Sequence, residues 1–319
     1  MALPAPLHGV VPPVCTPLDP HGEIDTASLT RLVHHLLDGG VHGLFALGST
    51  SEAAYLTDAQ RATALETVLK AADGRVPVLA GVIDTTTPRV LDHARTAAAL
   101  GADALVATAP FYTRTHPREI AAHFRHLRTA VGLPLFAYDI PAAVHSKLSP
   151  SLVRELAGDG TLAGLKDSSG DEGSLRRLLT ALGGRTARRT GPAPGFSVLT
   201  GSELTVDAAL LAGADGVVPG LGNVEPAGYV RLFDAARAGD WERAAAEQER
   251  LVALFAMVDV GPEPEMGRSS SALGAFKAAL HLLGVIDRGT TAVPQRPLGD
   301  DAVAEVGRRL TAAGLPPVR

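Results

Sequence analysis

Short apolar runs alternate with longer amphipathic stretches along most of this chain. Eight runs of four or five residues are rich in Val, Leu, Ala and Gly, a composition that suits buried strands. They are Val10–Val14, Gly43–Leu47, Val78–Val82, Ala104–Thr108, Leu135–Tyr138, Leu162–Lys166, Ser197–Thr200 and Gly216–Pro219. Between them, apolar residues recur with the spacing of one helix face, as they do over Leu29–Leu37. The pattern predicts strands and helices in alternation.

A recurring joint links the predicted helices to the strands that follow them. A glycine ends the helix and an apolar strand begins a few residues later at Gly40, Gly101, Gly160 and Gly213. A doubly wound open sheet would show the same alternation, but the chain has no Gly-x-Gly-x-x-Gly turn after its first strand. Eight strands therefore favour an α/β fold of the (β/α)8 TIM barrel type.

Helical patterns continue after the strands stop at Asn223. They cover Pro226–Arg237, Trp241–Val258, Ser271–Leu283 and Asp300–Ala313. The first should close the barrel, and the others form an addition to it. We predict a (β/α)8 barrel over residues 1–238, with its active site at the C-terminal ends of the strands, and a C-terminal helical extension over residues 239–319.

Side-chain caps mark several helix starts. Thr57 and Gln60 have the spacing of a capping box, in which each side chain binds the other residue's backbone N–H. At Thr87-Pro88 and Ser149-Pro150, a hydroxyl cap precedes a proline at the first helical position. Two stretches that contain Gly and Pro, 183–195 and 260–271, predict solvated or mobile connections in preference to anion sites.

Composition and charge narrow the class of protein. The chain has 319 residues, 46% of them hydrophobic, which is enough for one barrel with an extension. Its formal net charge of −5 is spread along the sequence and suggests neither a nucleic-acid partner nor a membrane surface. Prolines interrupt residues 1–14, and no apolar run approaches the ~20 residues of a membrane span. We expect a soluble, cytoplasmic protein that acts on small molecules.

Cysteine and histidine give no sign of a metal site. Cys15 is the only cysteine, which excludes an intrachain disulfide and favours a small buried hydrophobe over a reactive thiol. The eleven histidines, among them His34, His35, His123 and His126, form no ligand pattern with carboxylates. We predict that no metal is bound and that the compartment is reducing.

Lys166 differs from the other three lysines of the chain. Lys70 and Lys277 fall in helical patterns and Lys147 in a loop, whereas Lys166 ends the sixth predicted strand. A stem that begins in the apolar barrel interior would hold its amine away from bulk water, which favours the neutral form that attacks carbonyls. A buried lysine paired with Asp167 or another carboxylate is an equal alternative from this context.

Three further strand ends carry polar side chains. The turn Gly48–Glu52 has hydroxyls and backbone N–H groups suited to a carboxylate, although an ordinary capped helix start has the same features. Tyr138 ends the fifth strand, directly before the strand that bears Lys166, and its phenol could move protons there. Tyr112 follows the fourth strand. A packing role is the alternative for both tyrosines.

These motifs, in this order, resemble those of the dihydrodipicolinate synthase and N-acetylneuraminate lyase superfamily of class I aldolases over nearly the whole chain. The turn at 48–52 is similar to the family's Gly-[Thr/Ser]-Thr-Gly-Glu, and Tyr138–Pro141 is similar to its Tyr-Asn-x-Pro. Gly164–Asp171 resembles the segment that carries the Schiff-base lysine. Further similar segments are Ala109–Tyr112, Gly220–Val224 and Ala278–Gly284.

The resemblance implies a role for each matching residue. Lys166 would form the imine with the 2-oxo acid, and Tyr138 would transfer protons with Thr50 as its hydrogen-bonded partner. Ser49 and Thr50 would also hold the carboxylate of pyruvate. Tyr112 would complete the proton relay across a subunit interface, which implies a homotetramer built as a dimer of dimers, with a dimer as the alternative. Gly48 and Val218 complete the expected substrate-binding set.

The reaction implied is the making or breaking of a carbon–carbon bond between pyruvate, or a related 2-oxo acid, and an aldehyde. Neutral Lys166 attacks the ketone, the imine becomes an enamine, and the enamine attacks the aldehyde; retro-aldol cleavage is the reverse. The covalent imine stabilises the carbanion equivalent, so the resemblance implies no metal and no diffusible cofactor.

The chain departs from the synthase pattern at three positions. Ala143 stands where an arginine normally binds the second substrate's carboxylate, which argues against a lysine-pathway synthase. Ser51 replaces the usual glycine of the turn, and Asp139 replaces the usual asparagine beside Tyr138. These changes suggest a different aldehyde, and 4-hydroxy-2-oxoglutarate and 2-oxo-3-deoxy sugar-acid aldolases have similar Schiff-base segments.

Three alternatives stay open. The chain is a 4-hydroxy-tetrahydrodipicolinate synthase if another basic residue, such as Arg114, holds the carboxylate of aspartate semialdehyde. It is a sugar-acid lyase if Gly201-Ser-Glu-Leu suffices without the full acidic pair of the neuraminate lyase branch. It is a catalytically silent barrel if it only binds a 2-oxo acid as a sensor or partner subunit.

Overall fold

The computed structural model describes residues 3–184, 193 and 195–319. Eight strands lie in this part of the chain, one at each predicted position. They are β1 Gly9–Val10, β2 Leu44–Ala46, β3 Val78–Gly81, β4 Ala104–Thr108, β5 Leu135–Asp139, β6 Gly164–Asp167, β7 Ser197–Thr200 and β8 Gly216–Val217. The first is shorter than predicted because Pro12 and Pro13 have no N–H to donate to a neighbouring strand.

Helices follow the strands in the predicted alternation. They are α1 Thr26–Asp38, α2 Asp58–Ala72, α3 Thr87–Leu100, α4 Pro117–Val131, α5 Pro141–Val144, α6 Pro150–Gly158, α7 Glu172–Ala181, α8 Val206–Ala212, α9 Pro226–Ala238, α10 Trp241–Phe255, α11 Arg268–Leu282 and α12 Asp300–Ala312. Short 3-10 helices cover Ala53–Tyr55, Leu221–Asn223 and Ala256–Asp259. The four helices predicted after Asn223, the first of which was expected to close the barrel, correspond to α9–α12.

The eight strands are parallel and form a closed ring. Their hydrogen-bonded order is β1-β8-β7-β6-β5-β4-β3-β2. The chain just after β1 then pairs with β2: the N–H of Val14 donates to the carbonyl of Phe45 at 2.9 Å, and the N–H of Phe45 donates to the carbonyl of Pro12 at 2.9 Å. These bonds join β2 to the chain that follows β1, the two strands at the ends of this order, so neither is left with an unpaired edge. The predicted (β/α)8 barrel is confirmed.

Strand alternation divides the core into two layers. Inward-facing residues fill the barrel, among them Phe45, Phe136 and Tyr138. Outward-facing residues such as Leu165 pack against the surrounding helices. Because successive side chains on a strand point to opposite faces, Lys166 faces inward next to Leu165. Strand pairing sets Tyr138 of β5 directly opposite Lys166 of β6.

The helix caps agree with the sequence at two of three predicted sites. Thr57 and Gln60 form both halves of the capping box, and the hydroxyl of Ser149 accepts from the N–H of Leu152. The third prediction was wrong by one residue because Thr87 lies inside α3, whose cap is Thr86. Helix α11 begins at Arg268, which shortens the loop predicted over 260–271. Of the loop predicted over 183–195, residues 185–192 and 194 lie outside the described residues.

Candidate active site

Lys166 projects into a cavity at the C-terminal end of the barrel. Its side chain is buried, and its Nζ lies 4.0 Å from the centroid of the Tyr138 ring and 5.0 Å from that of Phe45. No ion pair reaches Lys166 from the described carboxylates. Asp167, the predicted alternative partner, accepts a hydrogen bond from the N–H of Ser169 at 2.8 Å instead. The amine therefore lies among aromatic faces, with no carboxylate of the described chain bound to it.

The cavity has a volume of about 300 Å³ and lies between the barrel and the C-terminal extension. Thr50, Tyr138, Lys166 and Val218, all predicted site residues, contribute to its barrel side. Three larger cavities, of about 660, 540 and 350 Å³, lie elsewhere and contain neither Lys166 nor Tyr138. We identify the candidate site by its chemistry and not by its volume. An imine requires an amine, and of these four cavities only the one of about 300 Å³ is lined by a lysine.

Tyr138 is hydrogen-bonded to Ser49 and not to Thr50. The two hydroxyl oxygens, Ser49 Oγ and Tyr138 Oη, are 3.3 Å apart. The partner predicted for Tyr138 was therefore wrong by one residue: Thr50 lines the cavity while Ser49 meets the phenol. Two adjacent hydroxyl residues in a turn point in different directions, and the sequence does not show which of them faces the tyrosine.

The environment of Tyr138 favours loss of its proton. Burial by itself raises the pKa of the phenol. The positive charge of Lys166 and hydrogen bonds that involve Ser49, Lys166 and Ser168 outweigh that effect, so the pKa lies below its usual value. Ser168 comes close because Gly201 has no side chain: a Cβ at position 201 would lie 2.0 Å from Ser168 Oγ. Tyr138 is thus a suitable proton carrier next to the amine.

Ser51 fixes the turn at 48–52 through two hydrogen bonds of its hydroxyl. The hydroxyl of Ser51 donates to the carbonyl of Val14 at 2.6 Å and accepts from the N–H of Gly48 at 3.1 Å. The residue that replaces the usual glycine therefore anchors the turn. In the described structure, the backbone N–H groups of Ser49 and Thr50 have no hydrogen-bond acceptor, whereas those of Ser51 and Glu52 bond to Gly48 and Ser49. Two adjacent donors remain for an anion.

Glu52 connects this turn to the C-terminal extension, a link that the sequence did not indicate. Its carboxylate and the ammonium of Lys277 on α11 form an ion pair in which both side chains are fully buried. The same carboxylate accepts from the N–H of Ala292 at 2.7 Å and from Gln295 Nε2 at 3.2 Å. Lys277 also donates to the carbonyl of Thr290 at 2.7 Å. The turn at 48–52 is therefore held in place by residues more than 200 positions away in the chain.

Glu203 is a second buried carboxyl group that was missed as a site residue. It lines the cavity after β7 and accepts from the N–H of Leu221 at 2.6 Å. Burial raises its pKa to about 7, although backbone N–H groups and the charge of Lys166 oppose the shift. Both protonation states are therefore accessible near neutral pH. The only signal in the sequence was the position of Glu203 in Gly201-Ser-Glu-Leu, directly after a strand.

Asp139, which replaces an asparagine, has its own counter-ion. Its buried carboxylate pairs with Lys147 and accepts from the N–H of Leu148 at 3.1 Å. Burial raises the pKa of Asp139, and Lys147 and the Leu148 N–H oppose the rise. Both contacts fix the end of the loop that follows β5. Lys147 therefore compensates the negative charge of Asp139 on the side of the strand that faces away from the barrel interior.

Three residues discussed from the sequence lie outside the cavity wall. Tyr112 has a φ of 74° and is 92% exposed, so it does not reach the site of its own chain. Its predicted contact with a neighbouring subunit stays a prediction. Ala143 is exposed on α5, and Arg114 is exposed on the loop after β4. Arg114, the candidate for a second substrate's carboxylate, does not line the cavity.

Neither a metal-ligand group nor a membrane span is found in the described chain. No cluster of three or more His, Cys, Asp or Glu side chains there has the arrangement of a metal site. None of its helices is long and apolar enough to cross a membrane. Cys15 is buried, and burial raises the pKa of its thiol to about 12. Its side chain is packed in the core as a small hydrophobe.

The fold and the site together define a (β/α)8 barrel enzyme with a buried lysine at the C-terminal end of its sixth strand. Comparison with known proteins identifies the family. The model of the dihydrodipicolinate synthetase family matches residues 6–313, and the chain belongs to that family. Its members are lyases, and the predicted relationship and enzyme class are confirmed.

Similar proteins include an uncharacterised lyase and a protein named as a synthase. An uncharacterised DapA-like lyase of Halobacterium salinarum is 35% identical over 312 residues, which cover 98% of this chain and 96% of the relative. A 4-hydroxy-tetrahydrodipicolinate synthase of Stenotrophomonas maltophilia is 34% identical over 258 residues, 81% of this chain and 84% of the relative. The solved structure of YagE, a prophage protein of this family from E. coli K12 in complex with pyruvate, superposes with a TM-score of 0.87 at 28% identity and covers 97% and 99% of the two chains.

Proposed function

We propose that this protein is a class I aldolase that joins pyruvate, or a related 2-oxo acid, to an aldehyde, or cleaves the product. The observation that carries the proposal is the position of Lys166. Its amine is buried, has no carboxylate partner in the described chain, and lies over the ring of a tyrosine inside a small cavity. The YagE structure, solved with pyruvate, supports the choice of a 2-oxo acid.

Each residue has a defined part in this mechanism. The amine of Lys166 attacks C2 of the 2-oxo acid, and Tyr138 supplies the proton that leaves with the carbinolamine hydroxyl as water. Ser49, hydrogen-bonded to Tyr138, passes protons to and from the phenol. The backbone N–H groups of Ser49 and Thr50 hold the carboxylate of the substrate. The Tyr138 phenolate then takes a proton from C3, which converts the imine to the enamine. C3 of the enamine attacks the aldehyde carbon, and the aldehyde oxygen takes a proton back from Tyr138.

Borohydride reduction in the presence of pyruvate tests this proposal. Reduction of the imine should add a single stable adduct to Lys166, detectable by intact mass and located by peptide mapping. Lys166→Ala should give no adduct, while Lys70→Ala, which removes an exposed lysine of α2 outside the cavity, should give the wild-type adduct. Folded protein that forms no adduct with pyruvate or with larger 2-oxo acids would exclude the mechanism and leave the catalytically silent barrel.

A second candidate is 4-hydroxy-tetrahydrodipicolinate synthase. The observation in its favour is the relative of that name from Stenotrophomonas maltophilia, 34% identical over 258 residues. Against it, Ala143 supplies no positive charge, and Arg114 lies outside the cavity wall. Incubation with pyruvate and aspartate semialdehyde distinguishes the two: rapid pyruvate-dependent consumption of the semialdehyde supports the synthase, and imine formation without consumption supports a different aldehyde.

A further inference from the structure

The outer wall of the Lys166 cavity carries a positive side chain. Arg268 is the first residue of α11, and it lines the cavity with Ser269 of the same helix turn. Among the described residues of the wall, Lys166 and Arg268 are the two that carry an amine or a guanidinium group. They belong to different parts of the fold, because Lys166 ends a barrel strand and Arg268 begins a helix of the extension.

The guanidinium of Arg268 is weakly engaged by the protein itself. Its one ion pair in the described chain joins Nε to Asp259 Oδ1 at 3.7 Å, and both side chains are largely exposed, at 77% and 63%. Exposed pairs of this kind contribute little to stability, so a substrate anion displaces Asp259 at low cost. The planar group can then bind a carboxylate or phosphate through two parallel N–H donors.

The helix start adds to the positive potential at this corner. The cap of α11 is Gly267, which has no side chain to accept from the N–H groups of the first turn. The partial positive charge of a helix N-terminus therefore coincides with the charge of Arg268. The cavity wall also contains apolar side chains of the extension, among them Phe255 and Phe276. An acidic group at this end of the cavity is attracted by the charge of Arg268 and the helix N-terminus, whereas a neutral group gains no such attraction.

The order of the reaction decides which substrate reaches Arg268. The 2-oxo acid is bound through its C2 to Lys166 and through its carboxylate near Ser49 and Thr50. The aldehyde must bring its carbonyl carbon to C3 of the enamine, and its remaining atoms extend through the cavity toward the extension. A volume of about 300 Å³ leaves space for a short chain only.

We propose that Arg268 determines substrate specificity by binding the acidic group, carboxylate or phosphate, of a short anionic aldehyde. This inference rests on the proposed aldolase function and extends it to the second substrate. It also assigns a binding residue on the C-terminal extension, in place of the missing arginine at position 143 and of Arg114, which does not line the cavity.

The test compares acidic and neutral aldehydes in variants of Arg268. Pyruvate is offered with succinic semialdehyde or butanal, and with glyceraldehyde 3-phosphate or glyceraldehyde, and kcat/KM is measured for each. A charged hydrogen-bonded contact corresponds to about a 10- to 100-fold change, so Arg268→Gln should lower kcat/KM for the acidic aldehyde by that factor. Neutral aldehydes should change less than about twofold. Arg268→Lys keeps the positive charge but loses the paired N–H donors, so it should retain only part of the preference.

Matched controls separate this inference from the proposed function. Arg243→Gln removes an exposed arginine of α10 outside the cavity and should behave as wild type. Borohydride trapping with pyruvate should be unchanged in Arg268→Gln. If wild type forms no imine, the aldolase function fails and this inference fails with it. If the imine forms but wild type uses only neutral aldehydes, or Arg268→Gln affects acidic and neutral aldehydes equally, the role of Arg268 alone is refuted. The acidic aldehyde that loses more activity identifies carboxylate or phosphate as the group bound.

Discussion

The buried ion pair between Glu52 and Lys277 allows a test of how the extension supports the candidate active site. Lys277→Met keeps a similar side-chain length but leaves the Glu52 carboxylate buried without its counter-ion. Two neutral donors remain, the N–H of Ala292 at 2.7 Å and Gln295 Nε2 at 3.2 Å. Removing one partner of a buried pair typically destabilises a protein by about 3–5 kcal/mol, and we expect Lys277→Met to fall in that range.

The loss can be expressed as a change in melting temperature. The entropy of unfolding is about 2.1 cal/mol/K per residue, which for 319 residues gives about 0.7 kcal/mol/K. A loss of 3–5 kcal/mol then lowers the midpoint by about 4–7 °C. Calorimetry measures this shift directly. The exposed pair of Lys70 and Glu66 is the matched control, and Lys70→Met should lower the midpoint by no more than about 1–2 °C.

A double variant separates the charge from the packing. Glu52→Gln removes the negative charge and keeps an acceptor for Ala292, so Glu52→Gln/Lys277→Met should recover at least half of the loss. Because Glu52 ends the turn that carries Ser49 and Thr50, Lys277→Met should also slow imine formation with pyruvate. A midpoint within about 2 °C of wild type, or a double variant that loses the sum of the two single losses, would refute the reasoning.

Three further outcomes follow from the site and its surroundings. Tyr138→Phe keeps the ring beside Lys166 but removes the proton carrier, so the rate of borohydride-trapped imine formation should fall about 10²- to 10⁴-fold, and a loss below tenfold would contradict the assignment. Burial raises the pKa of Glu203 to about 7, so the folded state holds this proton more tightly than the unfolded chain does. The folded protein therefore loses stability as the pH rises from about 4.5 to 7. Glu203→Gln should raise the melting temperature relative to wild type more at pH 8 than at pH 5. Burial lowers the pKa of His123 to about 4, so the stability that the neutral imidazole contributes is present above pH 6.5 and is lost as the pH falls toward 4. His123→Phe should reduce the drop in melting temperature that acid causes. An unchanged drop would show that other groups cause it.

The sequence was sufficient for the fold because the relevant signals are local. Each strand is a short apolar run, often introduced by a glycine, and such a run is buried wherever the neighbouring strands lie. Lys166 was identifiable for the same reason, because it is the one lysine at a strand end. Tyr138 followed from the order of the strands, since consecutive strands in a (β/α)8 barrel are neighbours.

Other parts of the site depend on contacts that no local pattern specifies. The choice between Ser49 and Thr50 as partner of Tyr138 depends on the rotation of one turn. Lys277 has the helical spacing of any exposed lysine, and only the fold brings it to a carboxylate 225 residues earlier in the chain, inside the core. Glu203 follows a strand, as many solvated acidic residues do, and its raised pKa results from burial that only the fold produces.

The helical extension contributes to the candidate active site, although the strands alone form the barrel. Phe255, Arg268 and Phe276 form the outer wall of the cavity that contains Lys166, and Lys277 on the same helix fixes the turn that bears Ser49 and Thr50. One helix, α11, therefore takes part in both proposed substrate-binding regions. It contacts the turn proposed to bind the 2-oxo acid, and it forms part of the wall proposed to meet the aldehyde. A shift of α11 would change the first through Glu52 and the second through Arg268. Substitutions in this helix should for that reason alter the choice of aldehyde more readily than substitutions in the barrel strands, whose inward positions are filled by the core.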